Sequence, residues 1–257
     1  METELRDRFI RLWSEYFNGA DLPLGLYYTD DEKVAGDRQQ AKGRSCLVGD
    51  LAAARRGKSV AFDKDSIGCF GGRRYLGFDL GLMPNFEYFL SCGIPGQLEG
   101  ERYKKTPELV RQLVAAAPRF EAPARFAVFK RWDTLEADDM PDVVIFFAPP
   151  DVLSGLYTLA GFDQGEIEGV IAPFGAGCAT ICQYPMLESR NPRPRAILGL
   201  FDVSARPCVR ASELSFAVPM AKFVTMINNM EESFLITRSW AKVLKRIGGR
   251  DKEQTQD

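Results

Sequence analysis

The segment Pro173-Phe-Gly-Ala-Gly-Cys-Ala-Thr-Ile-Cys182 is where the residue types and spacing of this chain best suit chemistry. A Gly175-x-Gly177 segment entering a helix leaves free amides pointing forward, backed by the positive end of the helix dipole. A thiol at that position gains a stabilised thiolate, which makes Cys178 the candidate catalytic nucleophile or redox thiol. Cys182, four residues on, shares the same helix face and could co-ligate a metal. The competing reading is a tightly packed helix start with two small buried hydrophobes.

A second group lies upstream, in Gly43-Arg44-Ser45-Cys46 and Gly68-Cys69-Phe-Gly71-Gly72-Arg73-Arg74. Glycine beside cysteine lets backbone approach a cofactor or anion closely, and Arg44, Arg73 and Arg74 offer fixed positive charge. A turn with a solvated arginine pair is the plainer alternative. Were Cys46, Cys69, Cys178 and Cys182 to meet, four thiolates would suit an iron–sulfur cluster or a structural zinc, though their separations are unlike compact Cys-x-x-Cys spacings. Glu136, Asp138, Asp139 and Asp142 crowd a hairpin loop and read as a solvated turn. Neither a phosphate loop nor a complete Gly-x-Gly-x-x-Gly occurs, so no nucleotide cofactor is named.

The 257 residues include no histidine. That removes Ser-His-Asp and Cys-His arrangements, His-ligated zinc and the side chain most used for acid–base work near neutrality. Basic and acidic residues nearly balance, 33 against 35, with a pI of about 5.5. No global field therefore favours nucleic acid or an anionic membrane. Met1–Phe9 is charged instead of apolar, and no stretch approaches the roughly 20 apolar residues of a membrane span. A cytoplasmic bacterial or archaeal protein with reduced cysteines is expected.

Helical spacing marks residues 2–18 through Leu5, Phe9, Leu12, Trp13 and Tyr16. Strands are expected at Leu22–Tyr28, Ser59–Phe62, Arg125–Trp132, Val143–Phe147, Glu166–Ile171 and Ala196–Val203. Helices are expected at Cys46–Arg56, Asn85–Ser91, Thr106–Ala117, Pro150–Leu159, from Gly175 onward, and from Pro219 toward Ile247. The interleaving indicates an α+β fold around a mixed sheet, one domain over residues 1–247 with a polar tail over 248–257. A split into two subdomains near residues 118–125 is the alternative.

The order of six pieces carries a resemblance: Leu22-Pro-Leu-Gly-Leu-Tyr-Tyr28; Cys46 with its alanine-rich helix and Gly57; Ser66-Ile-Gly-Cys69-x-Gly-Gly72 with Leu76-Gly77; Pro141-Asp-Val-Val-Ile145 with Pro149; Gly175-Ala-Gly-Cys178; and Gly199-x-x-Asp202-x-x-x-Arg206 with Pro219. In these the chain resembles domain-of-unknown-function family 169 of bacteria and archaea. The resemblance implies a single-domain protein without an assigned activity. It supports grouping Cys46, Cys69 and Cys178, and does not extend to Cys92, Cys182 and Cys208.

Three functions follow as expectations. The first is a small-molecule site for an anionic ligand, formed by Gly175, Gly177, Cys46, Cys69, Gly71, Gly72, Arg44 and Arg206, with Cys178 as the reactive thiol. The second is a metal or iron–sulfur site on Cys46, Cys69, Cys178 and Cys182. The third is a non-catalytic interaction module presenting Phe234, Leu235 and Trp240. Enzymatic activity stays open, and a homo-oligomer is compatible with the composition.

Overall fold

The computed structural model describes residues 3–35 and 45–249, so Gly43, Arg44 and the end of the expected tail lie outside the described residues. Six residues at Val143–Ala148 (β4) are all buried, the continuous apolar run expected of a strand covered on both faces. On one side β4 pairs antiparallel with Leu24–Thr29 (β1), which pairs in turn with Phe126–Arg131 (β3) and so reaches Val60–Phe62 (β2). On the other side it pairs antiparallel with Leu214–Pro219 (β7), in the register Val143↔Pro219 to Ala148↔Leu214. Ala196–Gly199 (β6) and Val170–Ile171 (β5) complete seven strands in the order β2-β3-β1-β4-β7-β6-β5. Among the described residues only the short β5–β6 pair is parallel. The fold is therefore α+β with a mixed sheet, as expected, and strands from both sides of residues 118–125 alternate within it.

Period-2 alternation sends the two faces of the sheet to two cores. Phe146 and Phe216 join Phe9, Trp13, Trp132, Phe223 and Trp240 under the helices Thr3–Tyr16 (α1), Pro150–Ala160 (α8), Met220–Asn229 (α10) and Arg238–Gly249 (α11). Trp13 stacks on Phe17 with centroids 4.3 Å apart, and Phe9 meets Phe223 edge-on at 4.9 Å. Gly155 on α8 is small because a Cβ there would lie 2.4 Å from the Trp240 ring. Ile145 and Phe147 face the other way, with Leu24, Leu47, Ile67, Cys178, Cys182 and Leu200. All the segments of interest for chemistry pack on this second face.

Several elements depart from expectation. The Cys46–Arg56 helix is two four-residue helices, Leu47–Asp50 (α3) and Ala52–Arg55 (α4), and Gly57 ends the second at φ 89°. The strand from Ala196 stops at Gly199, since Leu200 takes a left-handed φ of 64°. The Glu166–Ile171 strand shrinks to Val170–Ile171. Strand β7 carried no alternation strong enough to expect it. The last long helix divides between α10 and α11, with a 3₁₀ turn at Phe234–Ile236. There Leu235 and Trp240 are core, and Trp240 Nε1 donates to Tyr16 O at 2.8 Å, so these side chains do not form the partner surface expected of them.

Candidate functional site

Three of the expected cysteines each begin a helical turn. Cys46 precedes α3 in extended conformation and, unlike Cys69, makes no side-chain capping hydrogen bond. Cys69 caps Phe70–Tyr75 (α5), its Sγ accepting from the Gly72 amide at 3.1 Å. Cys178 precedes a π-helical turn at Ala179–Gln183, which runs into Tyr184–Glu188 (α9). The fold brings these starts together. The charges of Cys69, Cys182 and Cys46 all bear on Cys178. A Cβ at Gly71 would stand 3.5 Å from Cys178 Sγ, and one at Gly177 would stand 3.5 Å from Val48. Cys208, in the 3₁₀ turn Arg206–Cys208, joins the group: its Sγ is 3.6 Å from the Cβ position of Gly49.

The expected low-pKa thiolate at Cys178 is not what the geometry makes. Burial first, then the neighbouring thiols and Asp202, push its pKa well above the ordinary thiol value. The amides that should stabilise it are spent. Gly177 N donates to Asp202 Oδ2 at 3.0 Å, while Ala179 N and Thr180 N both donate to Ala176 O. Burial also raises Cys46 and the fully buried Cys182. Cys178 thus holds its proton more tightly than an ordinary thiol.

The expected anion support is likewise committed elsewhere. Arg206 donates to the carbonyls of Glu213, Arg210 and Ala211, Arg73 to Ile67 O at 3.0 Å, and Arg74 to Leu80 O. Asp202 places a carboxylate beside the cluster and gathers Tyr103 Oη at 3.1 Å and Ser204 Oγ at 2.9 Å. Asp202 stood in the last motif of the resemblance and Cys208 in none, so the aspartate had a sequence signal and the cysteine had none. Gly175 packs on Tyr184, and Gly72 is wedged under Ile67 and Leu47. Cys182 is a core residue at 0% exposure. Among the described residues, no group of three or more Cys, Asp or Glu is arranged to hold a metal ion.

The segments that carry the cluster also present exposed apolar side chains. Phe70, next to Cys69, is 62% exposed; Phe174, before Gly175, 53%; Phe201 and Val203, flanking Asp202, 57% and 69%. Lys104 Nζ lies 3.8 Å over the Phe174 ring. Tyr75, half-way into the cluster, has its phenol pushed up to about 12 by burial and by Cys178. A cleft of about 240 Å³ between Phe86–Phe89 (α6) and Pro107–Ala116 (α7) is lined by none of the cysteines.

Compared with known families, residues 15–229 match the model of domain of unknown function 169, described as an uncharacterised ArCR. The chain belongs to this family. The match spans every cysteine of the family-169 cluster described above, Cys46, Cys69, Cys178 and Cys208, along with Asp202. No curated protein and no solved structure matches the chain. In this family-169 protein, no helix among the described residues is long and apolar enough to cross a membrane.

One buried polar group was not expected. Asp139 is 2% exposed, its carboxylate accepting from Lys130 Nζ at 2.9 and 3.1 Å, from Tyr27 Oη and from Glu136 N at 2.7 Å. The acidic loop is therefore no plain solvated turn: one of its carboxylates anchors it to β1 and β3. With the Asp139 charge so close, and with burial as the leading cause, the Tyr27 phenol is raised far above its usual value.

Proposed function

We propose that this family-169 protein binds a small uncharged molecule, aromatic or thiol-seeking, where Cys46, Cys69 and Cys178 meet. The observation that carries this reading is the exposed apolar side chains on the segments that bear the cluster: Phe70 next to Cys69, Phe174 four residues before Cys178, and Phe201 and Val203 on either side of Asp202 are each more than half exposed. Exposed aromatics bury readily against a planar apolar ligand, and soft neutral thiols complement polarisable atoms better than hard anions. The anionic ligand read from the sequence is disfavoured because Asp202 occupies the Gly177 amide and the described arginines point to carbonyls.

N-phenylmaleimide and a carboxylate-bearing maleimide, matched in concentration, test the preference on the intact chain. The neutral aromatic reagent should modify Cys69 and Cys46 about tenfold faster, a difference of about 1.4 kcal/mol, and Phe70→Ala with Phe174→Ala should erase the gap. Equal rates, or faster anionic labelling, would overturn the reading.

A second reading has one observation in its favour. The Gly72 amide donates to the Cys69 sulfur at 3.1 Å, the environment that suits a thiolate bound to iron. Chain purified without oxygen and assayed for iron and acid-labile sulfide decides it: stoichiometric amounts would replace the first reading with a cluster site.

A further inference from the structure

Two of the cysteines stand apart from the rest in being partners for each other. Cys46 and Cys208 come from distant parts of the sequence, yet Cys208 Sγ and Cβ lie 3.6 and 3.7 Å from the Cβ position of Gly49, within the turn that Cys46 begins. Cys208 is among the groups that raise the Cys46 thiol pKa, after burial as the leading cause. Both are half-buried and free, so a small reagent reaches them, whereas Cys178 and Cys182 are buried. Cys46 immediately precedes the four-residue α3, and Cys208 ends a three-residue 3₁₀ turn. A disulfide between them requires the sulfurs at about 2.05 Å.

We propose that Cys46 and Cys208 form a thiol–disulfide exchange site, oxidised by a small organic disulfide and reduced again by small thiols. One of the pair loses its proton to solvent, and its thiolate attacks a sulfur of the disulfide RSSR. A mixed disulfide forms and RS⁻ leaves, taking a proton from water. The second protein thiol, deprotonated in turn, attacks the protein sulfur of that mixed disulfide, and the second RS⁻ leaves and is protonated. Two protein thiols and one RSSR become one protein disulfide and two RSH, with two electrons passing to the small molecule. Cys69 and Cys178 take no part; the pair shares Cys46 with the site proposed above but needs no ligand at the rim, so a disulfide map can fail while the maleimide preference holds, and the reverse.

The test uses the full chain in glutathione buffers graded from reducing to oxidising, acid-quenched, alkylated and mapped by mass spectrometry. A cross-linked Cys46–Cys208 peptide should replace the two free peptides in parallel and disappear on return to reduced glutathione. In Cys208→Ser the closing step is lost, so Cys46 should accumulate glutathione adduct about tenfold above the wild-type level. Both cysteines remaining free in the most oxidising buffer would overturn the proposal. So would a map dominated by Cys46–Cys69 or Cys69–Cys178. The wild-type map alone is sufficient should the serine variant fail to fold.

Discussion

The Gly177 amide donates to Asp202 Oδ2 at 3.0 Å, and this one bond redirects the chemistry of the whole cluster. It fills the place at the helix start that an anionic ligand would need, and it sets a negative charge near Cys178. That charge opposes formation of a thiolate, adding to the larger effect of burial. A protein with no histidine thus holds its central cysteine protonated instead of activated.

Replacing Asp202 with Asn should make Cys178 more reactive. Removing the carboxylate takes away one of the causes that raise the thiol, so more thiolate is present at any given pH. Asp202 is the smallest of the named causes, and about two- to threefold faster alkylation of Cys178 at pH 9 is expected, well short of the tenfold that a full pKa unit would bring. Peptide-resolved alkylation kinetics measure it. A slower rate in a variant with unchanged circular dichroism would contradict the electrostatic role given to Asp202.

Alkali should weaken the fold through its buried thiols. Cys178 and Cys182 carry folded pKa values above those of the unfolded chain, so the native state holds their protons more tightly. Their stabilisation is complete below about pH 8.5 and is lost as pH rises from there toward the folded values. Lys222, lowered by burial, acts with the opposite sign. Urea midpoints across that range should fall with pH, and Cys182→Ala should flatten the fall by up to about 1.4 kcal/mol per pH unit. An unchanged slope in the variant would show that Cys182 does not carry this linkage.

Asp139 should prove far more important to stability than its place in an acidic loop suggests. Asp139→Ala leaves the Lys130 ammonium, itself 9% exposed, to the exposed Glu136 carboxylate 3.8 Å away, and leaves Tyr27 without its acceptor. Breaking a buried pair from one side costs about 3–5 kcal/mol, against about 1 kcal/mol for Tyr27→Phe, which removes only one hydrogen bond. Equilibrium denaturation compares the two. Similar small losses in both would mean that Lys130 finds water once its partner is gone.

The reach of sequence reading here followed the range of the interactions involved. Local signals served well: Thr106 caps α7 with Pro107 in the first turn, and Leu5, Phe9, Leu12 and Trp13 set the buried side of α1. The resemblance grouped Cys46, Cys69 and Cys178, and the fold places their helix starts together. What failed depended on contacts made across the chain. Nothing near Cys178 announces that Asp202 takes the Gly177 amide, and nothing near Asp139 reveals Lys130, nine positions earlier on a strand. Cys208 looked solitary because its partner lies beyond any local window. The exposed rim escaped notice for another reason: nothing in the sequence around Phe70, Phe174 and Phe201 distinguishes an exposed phenylalanine from a buried one.

Neighbouring glycines on α5 give the sharpest check on how the cluster is built. A methyl group at Gly72 would meet Ile67 Cγ2 at 2.7 Å, Cys69 Sγ at 3.0 Å and Leu47 Cβ at 3.2 Å, all within the packed second core. Gly72→Ala should therefore cost about 1–3 kcal/mol and displace the Cys69 sulfur. At Gly71 the same methyl meets Cys178 Sγ at 3.5 Å and Tyr75 at 3.8 Å, ordinary contact distances. Gly71→Ala should keep or raise stability, by about 0.5 kcal/mol from helix propensity, while covering Cys178 from solvent. Thermal unfolding and Cys178 alkylation, read on both variants, separate the two effects. If the pair lose stability equally, α5 does not seat against the Cys178 turn in the way these distances require.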